Sequence, residues 1–401
     1  MAEVRKLNFT VEGNAGTVPY ILLKDTKTEG DENFVASIRD QFGNVVATAN
    51  LTILDTSLNP LSISMNAMSG NRAKAIYANP VSGDMVEGLL LVTETGLVLT
   101  DDIYEIPGGI WRVAPTGNAI LSYLPNGDWV PRLADGNGKI NVLCTSDVPL
   151  TSSEGSMYLQ RIAPNGDYYI VQTWGASSYP KFSFYAKTGA TSYTKRASSG
   201  TLYPLALYSA IDSVEISPDG TRIACALRRT GPSINICTAD NNGYTVGTLF
   251  DLVTGAEKIA SGASNLLWLG TTHLAVIIPL LNAGGTKIGI YAVDQAGVAT
   301  LGYSGNIPGQ LSVDSYTSQV VKPTPLIADS YRFIGGVDAG LAVVDITLAG
   351  VTTANVIPMV DSIPITSAVL TPSGERVIAV DQDNVEYVYQ ININGTMTLI
   401  P

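Results

Sequence analysis

Four segments of this chain follow one plan: a strand, then Pro-x-Gly, then an apolar strand. They read "WRVAPTGNAILSY", "LQRIAPNGDYYIVQ", "VEISPDGTRIACAL" and "AVLTPSGERVIAV". The turn glycines are Gly117, Gly166, Gly220 and Gly374, and Gly70 in "MSGNRAKAIY" shares their context. Gly270 in "LLWLGTTHLAVII" is a weaker member, and a seventh unit near Asp329 in "PLIADSYRFIGGV" lacks the glycine. Successive intervals are 47, 49, 54, 50, 59 and 45 residues. Short strands and hairpin turns repeated at such a period exclude a single sandwich and point to a β-repeat array.

Each unit reads as four strands. The second is "GIWRVAP", "NAILSYLP", "DWVPRLAD" and "INVLCTS"; the third is "YLQRIAP", "DYYIVQTW", "KFSFYAK" and "TSYTKRA"; the fourth is "SVEISP", "RIACALR", "INICTA" and "YTVGTLF". Asn-Gly and Asp-Gly predict tight hairpins with positive φ at both central residues. One four-stranded unit cannot cover both of its faces, so the reading is a ring. The expected fold is all-β: a seven-bladed β-propeller of four-stranded blades over residues 58–401.

The Pro-Asp-Gly writing resembles the blade repeat of the WD40-like and TolB-type propellers. The resemblance covers roughly residues 60–401 and is clear in four units and faint in three. It implies a fold and carries no catalytic residues, because propellers host unrelated functions. Residues 1–57 stand outside the count. Their strands "KLNFTV", "PYILL", "FVASIRD" and "VVATANLTIL" read as an added β-arm or small β-domain; alternatively "NLTIL" supplies the outer strand that closes the ring.

Composition narrows the function. Charged residues are 14%, against 45% hydrophobic, so Ser, Thr, Asn, Gly and Tyr must cover the surface. Net charge is −12, from 23 basic and 35 acidic residues, which argues against nucleic acid or an anionic membrane as partner. The start "MAEVRKLNFTVEG" has no apolar run of signal-peptide length, and "LAVIIPLL" is too short to span a bilayer. The expectation is a protein made in the host cytoplasm, with no membrane insertion. Cys144, Cys225 and Cys237 are odd in number and widely spaced, and read as buried free thiols, although Cys225 and Cys237 lie on successive strands where one bridge fits.

Chemistry-bearing patterns are sparse. His273 is the sole histidine, in a turn before a buried strand, so no multi-histidine metal site is expected. The acidic loops Asp135/Asn137, Asp240/Asn242 and Asp381/Asp383 lack the full oxygen set of a calcium loop and read as turns. No cofactor and no metal is expected. Residues 168–211 contain no Asp or Glu but ten aromatics with Lys181, Lys187, Lys195 and Arg196. Aromatics among cations stack on sugars or anchor proteins. Phe182 and Phe184 read as core; Trp174 and Tyr179, with Lys181 and Lys187, are the candidate binding residues.

The composition and the β-arm before a propeller resemble tailed-bacteriophage virion proteins. The expectation is therefore a non-enzymatic virion component (capsid decoration, vertex or tail protein), oligomeric in the particle. It would dock on other virion proteins through residues 1–57, where eight acidic residues against five basic ones disfavour nucleic acid. A propeller binding a host glycan or receptor, or a WD40-like scaffold, is the alternative. A polysaccharide hydrolase or lyase with axial carboxylates is the weaker one, since no motif singles out a carboxylate pair.

Overall fold

The computed structural model describes residues 2–11, 14–23, 32–39, 42–53, 60–64, 72–78, 85–104, 110–113, 119–123, 129–134, 140–147, 156–174, 180–196, 210–228, 234–247, 249–252, 265–280, 285–308, 330–337, 340–358, 365–392 and 396–400. The chain is all-β: among the described residues there are 32 strands, and no helix is long and apolar enough to cross a membrane. Two compact units are distinguished, Met1–Ser62 with Ile76–Val86, and Ile63–Ala75 with Glu87–Pro401.

The first unit holds two antiparallel hairpins. β1 (Ala2–Val11) pairs with β2 (Asn14–Leu23), and β3 (Glu32–Arg39) with β4 (Val45–Ile53). "NLTIL" falls largely in β4, with Leu51 opposite Phe34 in a two-stranded sheet. The segment read as a possible outer strand of the ring is thus the second arm of a local hairpin.

Seven sheets follow in chain order among the described residues. Sheet one is β5 (Pro60–Ser64), β6 (Arg72–Ala78), β7 (Met85–Val92) and β8 (Leu97–Tyr104). Sheet two is β9 (Ile110–Val113), β10 (Ala119–Tyr123), β11 (Trp129–Ala134) and β12 (Ile140–Leu143). A short strand, β13 (Thr145–Ser146), leaves sheet two and adds in parallel to the outer edge of sheet three. That sheet is β14 (Ser156–Ile162), β15 (Tyr168–Trp174), β16 (Pro180–Lys187) and β17 (Ser192–Arg196). Sheet four is β18 (Ala210–Ile216), β19 (Arg222–Arg228), β20 (Ile234–Asp240) and β21 (Gly243–Thr245). Sheet five is β22 (Asn265–Leu269), β23 (His273–Pro279), β24 (Gly285–Val293) and β25 (Ala299–Pro308). Sheet six is β26 (Ser330–Val337), β27 (Gly340–Thr347) and β28 (Gly350–Pro358). Sheet seven is β29 (Ile365–Leu370), β30 (Arg376–Asp381), β31 (Glu386–Ile391) and β32 (Met397–Leu399).

The repeated turn has one geometry wherever it is described. In Ala163–Gly166, Ser217–Gly220 and Thr371–Gly374 the glycine N–H donates to the carbonyl three residues back at 2.8 Å. Proline presets φ for the second position, and the glycine takes φ +73°, +73° and +72°. Gly270 is also left-handed, at φ +63°, but it directly follows β22 in a shorter turn without proline, in which Leu269 stands opposite His273. Gly70, Gly117 and Asp329 lie outside the described residues. The expected positive φ at both central residues is corrected: Asn165 and Asp219 keep negative φ and only the glycine is left-handed. The sequence is a type I turn closed by a glycine bulge, and the Asn, Asp or Ser before each glycine accepts the N–H two residues on. A second correction concerns sheet four. The ladder strand is Gly243–Thr245, so only Tyr244 and Thr245 of "YTVGTLF" belong to it, and Phe250 bridges back to Ile234.

The core lies in the seams between sheets, because alternate residues of every strand face opposite neighbours. Tyr168, Ile170 and Phe184 of sheet three pack on Val214, Ile223 and Cys225 of sheet four. Ala224, Ala226 and Ile236 meet Trp268, Leu274 and Val276 of sheet five. Leu267, Ala275 and Ile290 meet Phe333, Val344 and Ile346 of sheet six, and Ile334 and Val343 meet Leu370 and Val377 of sheet seven. Leu121 and Cys144 join Tyr169 and Tyr185 between sheets two and three.

Candidate functional site

The parity of the strands sorts the loops of the sheets. With four strands per unit, the first-to-second and third-to-fourth turns share one end, which we call the turn end. The second-to-third turns and the connections between sheets leave from the opposite end, the loop end. At the turn end, the described Ser217–Thr221 turn is closed by its own side chains. Asp219 accepts from Ser217, from the backbone and hydroxyl of Thr221, and from Arg222. Burial alone would raise its pKa, but these hydrogen bonds and then the Arg222 charge outweigh that and hold the carboxyl below its ordinary value.

Arginines at the start of second strands tie one sheet to the next. Arg222, only 5% exposed, donates to the carbonyls of Val293 and Asp294 at 3.0 and 3.1 Å, and its guanidinium lies 5.6 Å from the Trp268 ring centroid. Arg332 pairs with both oxygens of Asp345 and reaches the Gly374 carbonyl at 2.7 Å. Arg376 reaches the Glu94 carbonyl at 2.7 Å. Sequence reading passed over these residues, although Arg222 and Arg376 each stand two places after a turn glycine.

The acidic loops behave as turns. Asp240 accepts from the Asn242 N–H at 2.7 Å, and Asp381 from the N–H groups of Asp383 and Val385 and from the Tyr387 hydroxyl. Asp135 and Asn137 lie outside the described residues. Among the described residues no three His, Cys, Asp or Glu side chains are grouped to hold a metal ion. A groove of about 280 Å³ runs beside the β20–β21 turn, lined by Thr238, Asp240, Asn242, Tyr244 and Thr245. Arg196 crosses to it from sheet three, donating to the Asn241 carbonyl at 3.2 Å.

His273 opens β23 with its Nδ1 2.9 Å from the Thr272 hydroxyl, and burial lowers its pKa. Cys144, Cys225 and Cys237 are buried free thiols. Cys237 donates to Asn235 at 3.2 Å, and burial pushes the Cys144 thiol up to about 11, out of thiolate chemistry.

The aromatics of sheet three divide between its faces. Phe184 stacks on Tyr168 at 4.6 Å toward sheet four, while Tyr185 stacks on Tyr169 at 4.6 Å toward sheet two, with Tyr193 edge-on at 5.3 Å. These rings are core. Trp174 ends β15 opposite Pro180, and Lys181 stands opposite Thr173, so both belong to the loop end of one hairpin. Tyr179 lies outside the described residues, in the turn between them. Lys187 is separated from this group. It ends the same strand at the turn end, half-buried opposite Tyr193, about 20 Å from Lys181 at 3.3 Å per residue.

No family model and no curated protein matches the sequence. Solved structures do. A protein from Lactobacillus plantarum aligns over 82% of this chain and 95% of its own at 12% identity and a TM-score of 0.51. The β-propeller domain of Cps50 (Swd1) from Myceliophteria thermophila aligns over 83% and 97% at 11% identity and 0.49. The periplasmic gluconolactonase PpgL of Pseudomonas aeruginosa aligns over 86% and 94% at 10% identity and 0.45. The chain is thus all-β with propeller-like structural neighbours, and the likeness is one of fold.

Proposed function

We propose that this protein is a seven-bladed propeller that binds a partner through its loop end and performs no catalysis. The observation that carries this reading is the asymmetry of the two ends. The turn end consists of short turns whose polar groups are spent on one another. By strand parity the loop end is where the second-to-third turns and the connections between sheets leave. Loops on a rigid scaffold are the usual carriers of recognition. Ring closure is supported by a repeated contact: Arg376 of sheet seven meets the third-to-fourth turn of sheet one as Arg222 of sheet four meets that turn of sheet five.

The candidate binding residues are Trp174 and Lys181, at the strand ends of one hairpin, with Tyr179 between them in the sequence: an indole, a phenol and a cation, residue types suited to a sugar or an aromatic-lined protein surface. The finer assignment is a virion component attached through residues 1–57, resting on the low charge and the strand-rich leading segment. The structural neighbours named above lend the virion assignment no support. The test is a glycan array probed with the full chain, together with Trp174→Ala and Lys181→Ala. Binding lost in both supports the site; binding kept in both moves recognition to another loop. Turnover of a bound glycan, abolished by one carboxylate substitution, would sink the non-enzymatic reading.

A further inference from the structure

The first strands carry a repeated irregularity. In sheets two to five and seven each first strand ends its sheet, so one of its edges pairs with nothing in that sheet. β9 runs beside β14, β14 beside β18, and β18 beside β22, so in the proposed ring these edges line the axis. In four sheets the first strand holds one residue more than its partner. In sheet two it is Trp111, between Ile110 and Arg112, whose partners Ser122 and Leu121 are consecutive. In sheet four it is Asp212, and in sheet seven Thr366. In sheet three Tyr158 and Leu159 stand where the partner strand has Gln172 alone. Tyr158, Asp212 and Thr366 each stand eight places before the turn glycine of their unit. All four shifts fall near the start of the strand, hence toward the loop end. The second-to-third pairings of sheets two to five and seven run without a shift. A bulge on a sheet edge ends pairing and re-aims side chains, which is why bulges gather beside functional sites. An independent observation lies next to these bulges. Ser213 and Ser367 directly follow the extra residues and are only 6% and 4% exposed. The Ser367 hydroxyl meets no hydrogen-bond partner among the described residues. A buried hydroxyl without a partner costs stability unless a group from outside the chain takes it.

We propose that the glycan site of the Trp174 hairpin extends to the loop-end mouth of the axis, where Asp212, Ser213, Thr366 and Ser367 take a terminal neutral sugar. This rests on the ring and glycan readings above. Continuity is given by Trp174, which stands opposite Ser156, the first residue of β14. Carboxylate and hydroxyl groups together accept from and donate to sugar hydroxyls, and Trp and Tyr, the residue types at 111 and 158, suit the C–H face of a sugar. None of the extra places holds Lys or Arg, and Arg161 further along β14 is engaged by Glu215 at 3.0 Å, which disfavours an anionic ligand. The test is an array of neutral glycans and their sulfated and sialylated counterparts, probed with the full chain. Neutral glycans should bind, and both Asp212→Ala and Ser367→Ala should weaken that binding about tenfold, as the loss of a hydrogen bond or two predicts. Ser367→Ala should do so without lowering the unfolding midpoint, because its hydroxyl has no partner within the fold; a lowered midpoint overturns the assignment. Binding weakened by Trp174→Ala and Lys181→Ala but unchanged in Asp212→Ala and Ser367→Ala overturns the axial site and leaves the hairpin. A preference for the sulfated or sialylated glycans overturns it too. If the unmodified chain binds no glycan, the axial site is overturned, whereas the hairpin keeps its protein-surface reading. The ring is tested separately. Glu94 accepts from the N–H and the hydroxyl of Ser373, both at 2.7 Å, so carbodiimide should couple Glu94 to the new amine in Ser373→Lys. Without that cross-link the ring reading fails, and the axial site with it.

Discussion

At the residue scale the turn glycines are the most exposed to test. Gly220 sits at φ +73° with only ordinary contacts around a notional Cβ, the nearest being Asn165 at 3.6 Å. Replacement therefore strains the backbone without a collision. Gly220→Ala should cost about 1–2 kcal/mol in urea unfolding, and Gly220→Asn visibly less, because Asn tolerates the left-handed region. Asp219 gives the pH dependence. Its folded pKa lies below its ordinary 3.8, so its contribution is complete above that value and is lost as pH falls through the folded one. Asp219→Asn should flatten the acid limb of a stability–pH profile below about pH 4 and leave its shape unchanged at neutral pH. An unaltered acid limb would mean that the Asp219 hydrogen bonds do not distinguish folded from unfolded chain.

At the scale of elements, sheets are held by rings inside seams and by guanidinium groups across them. Phe184 is fully buried, stacked on Tyr168 and 6.1 Å from Tyr244. Phe184→Ala should cost about 3–5 kcal/mol, read by thermal or denaturant unfolding. Arg222→Ala should destabilise by about 1–3 kcal/mol, because it orphans the Val293 and Asp294 carbonyls and uncovers Trp268. The near-ultraviolet signal of Trp268 should change with it. Gly350, in the β27–β28 turn, has φ +145° and would place a Cβ 2.7 Å from the Tyr303 ring. Here a side chain meets both strain and a collision, so Gly350→Ala should be worse than Gly220→Ala. Equal costs would contradict the contact between outer strands β25 and β28.

For the whole molecule, the leading hairpins pair only with themselves in their sheets, β1 with β2 and β3 with β4. If residues 1–57 are the added arm of the proposal, their removal should leave the unfolding midpoint of the sheets unchanged. If the virion assignment holds, it should also abolish incorporation into particles. Loss of folding would instead make this segment part of the ring, and normal incorporation would move docking to the sheets.

The repeat was legible in the sequence because a left-handed position is a hard steric demand. Pro-x-Gly recurs at four of the turns from a first strand into a second, and the strands on either side alternate as a two-sided sheet must. The burial of Phe184 could be read from "KFSFYAK" for the same reason, whereas the burial of Phe182 lies outside the described residues. Side-chain partners could not be read. Arg222, Arg332 and Arg376 look like ordinary surface cations until the next sheet brings a carbonyl within 3.1 Å. Lys187 and Lys181 look like one basic cluster until the strand between them carries them to opposite ends. Glu94 and Ser373 are 279 residues apart, and nothing local marks either. A turn is decided by the torsions of four consecutive residues, so the sequence by itself determined the strands and their hairpin turns. Which residues meet across a seam is decided by where the other sheets lie, and that only the tertiary structure settled.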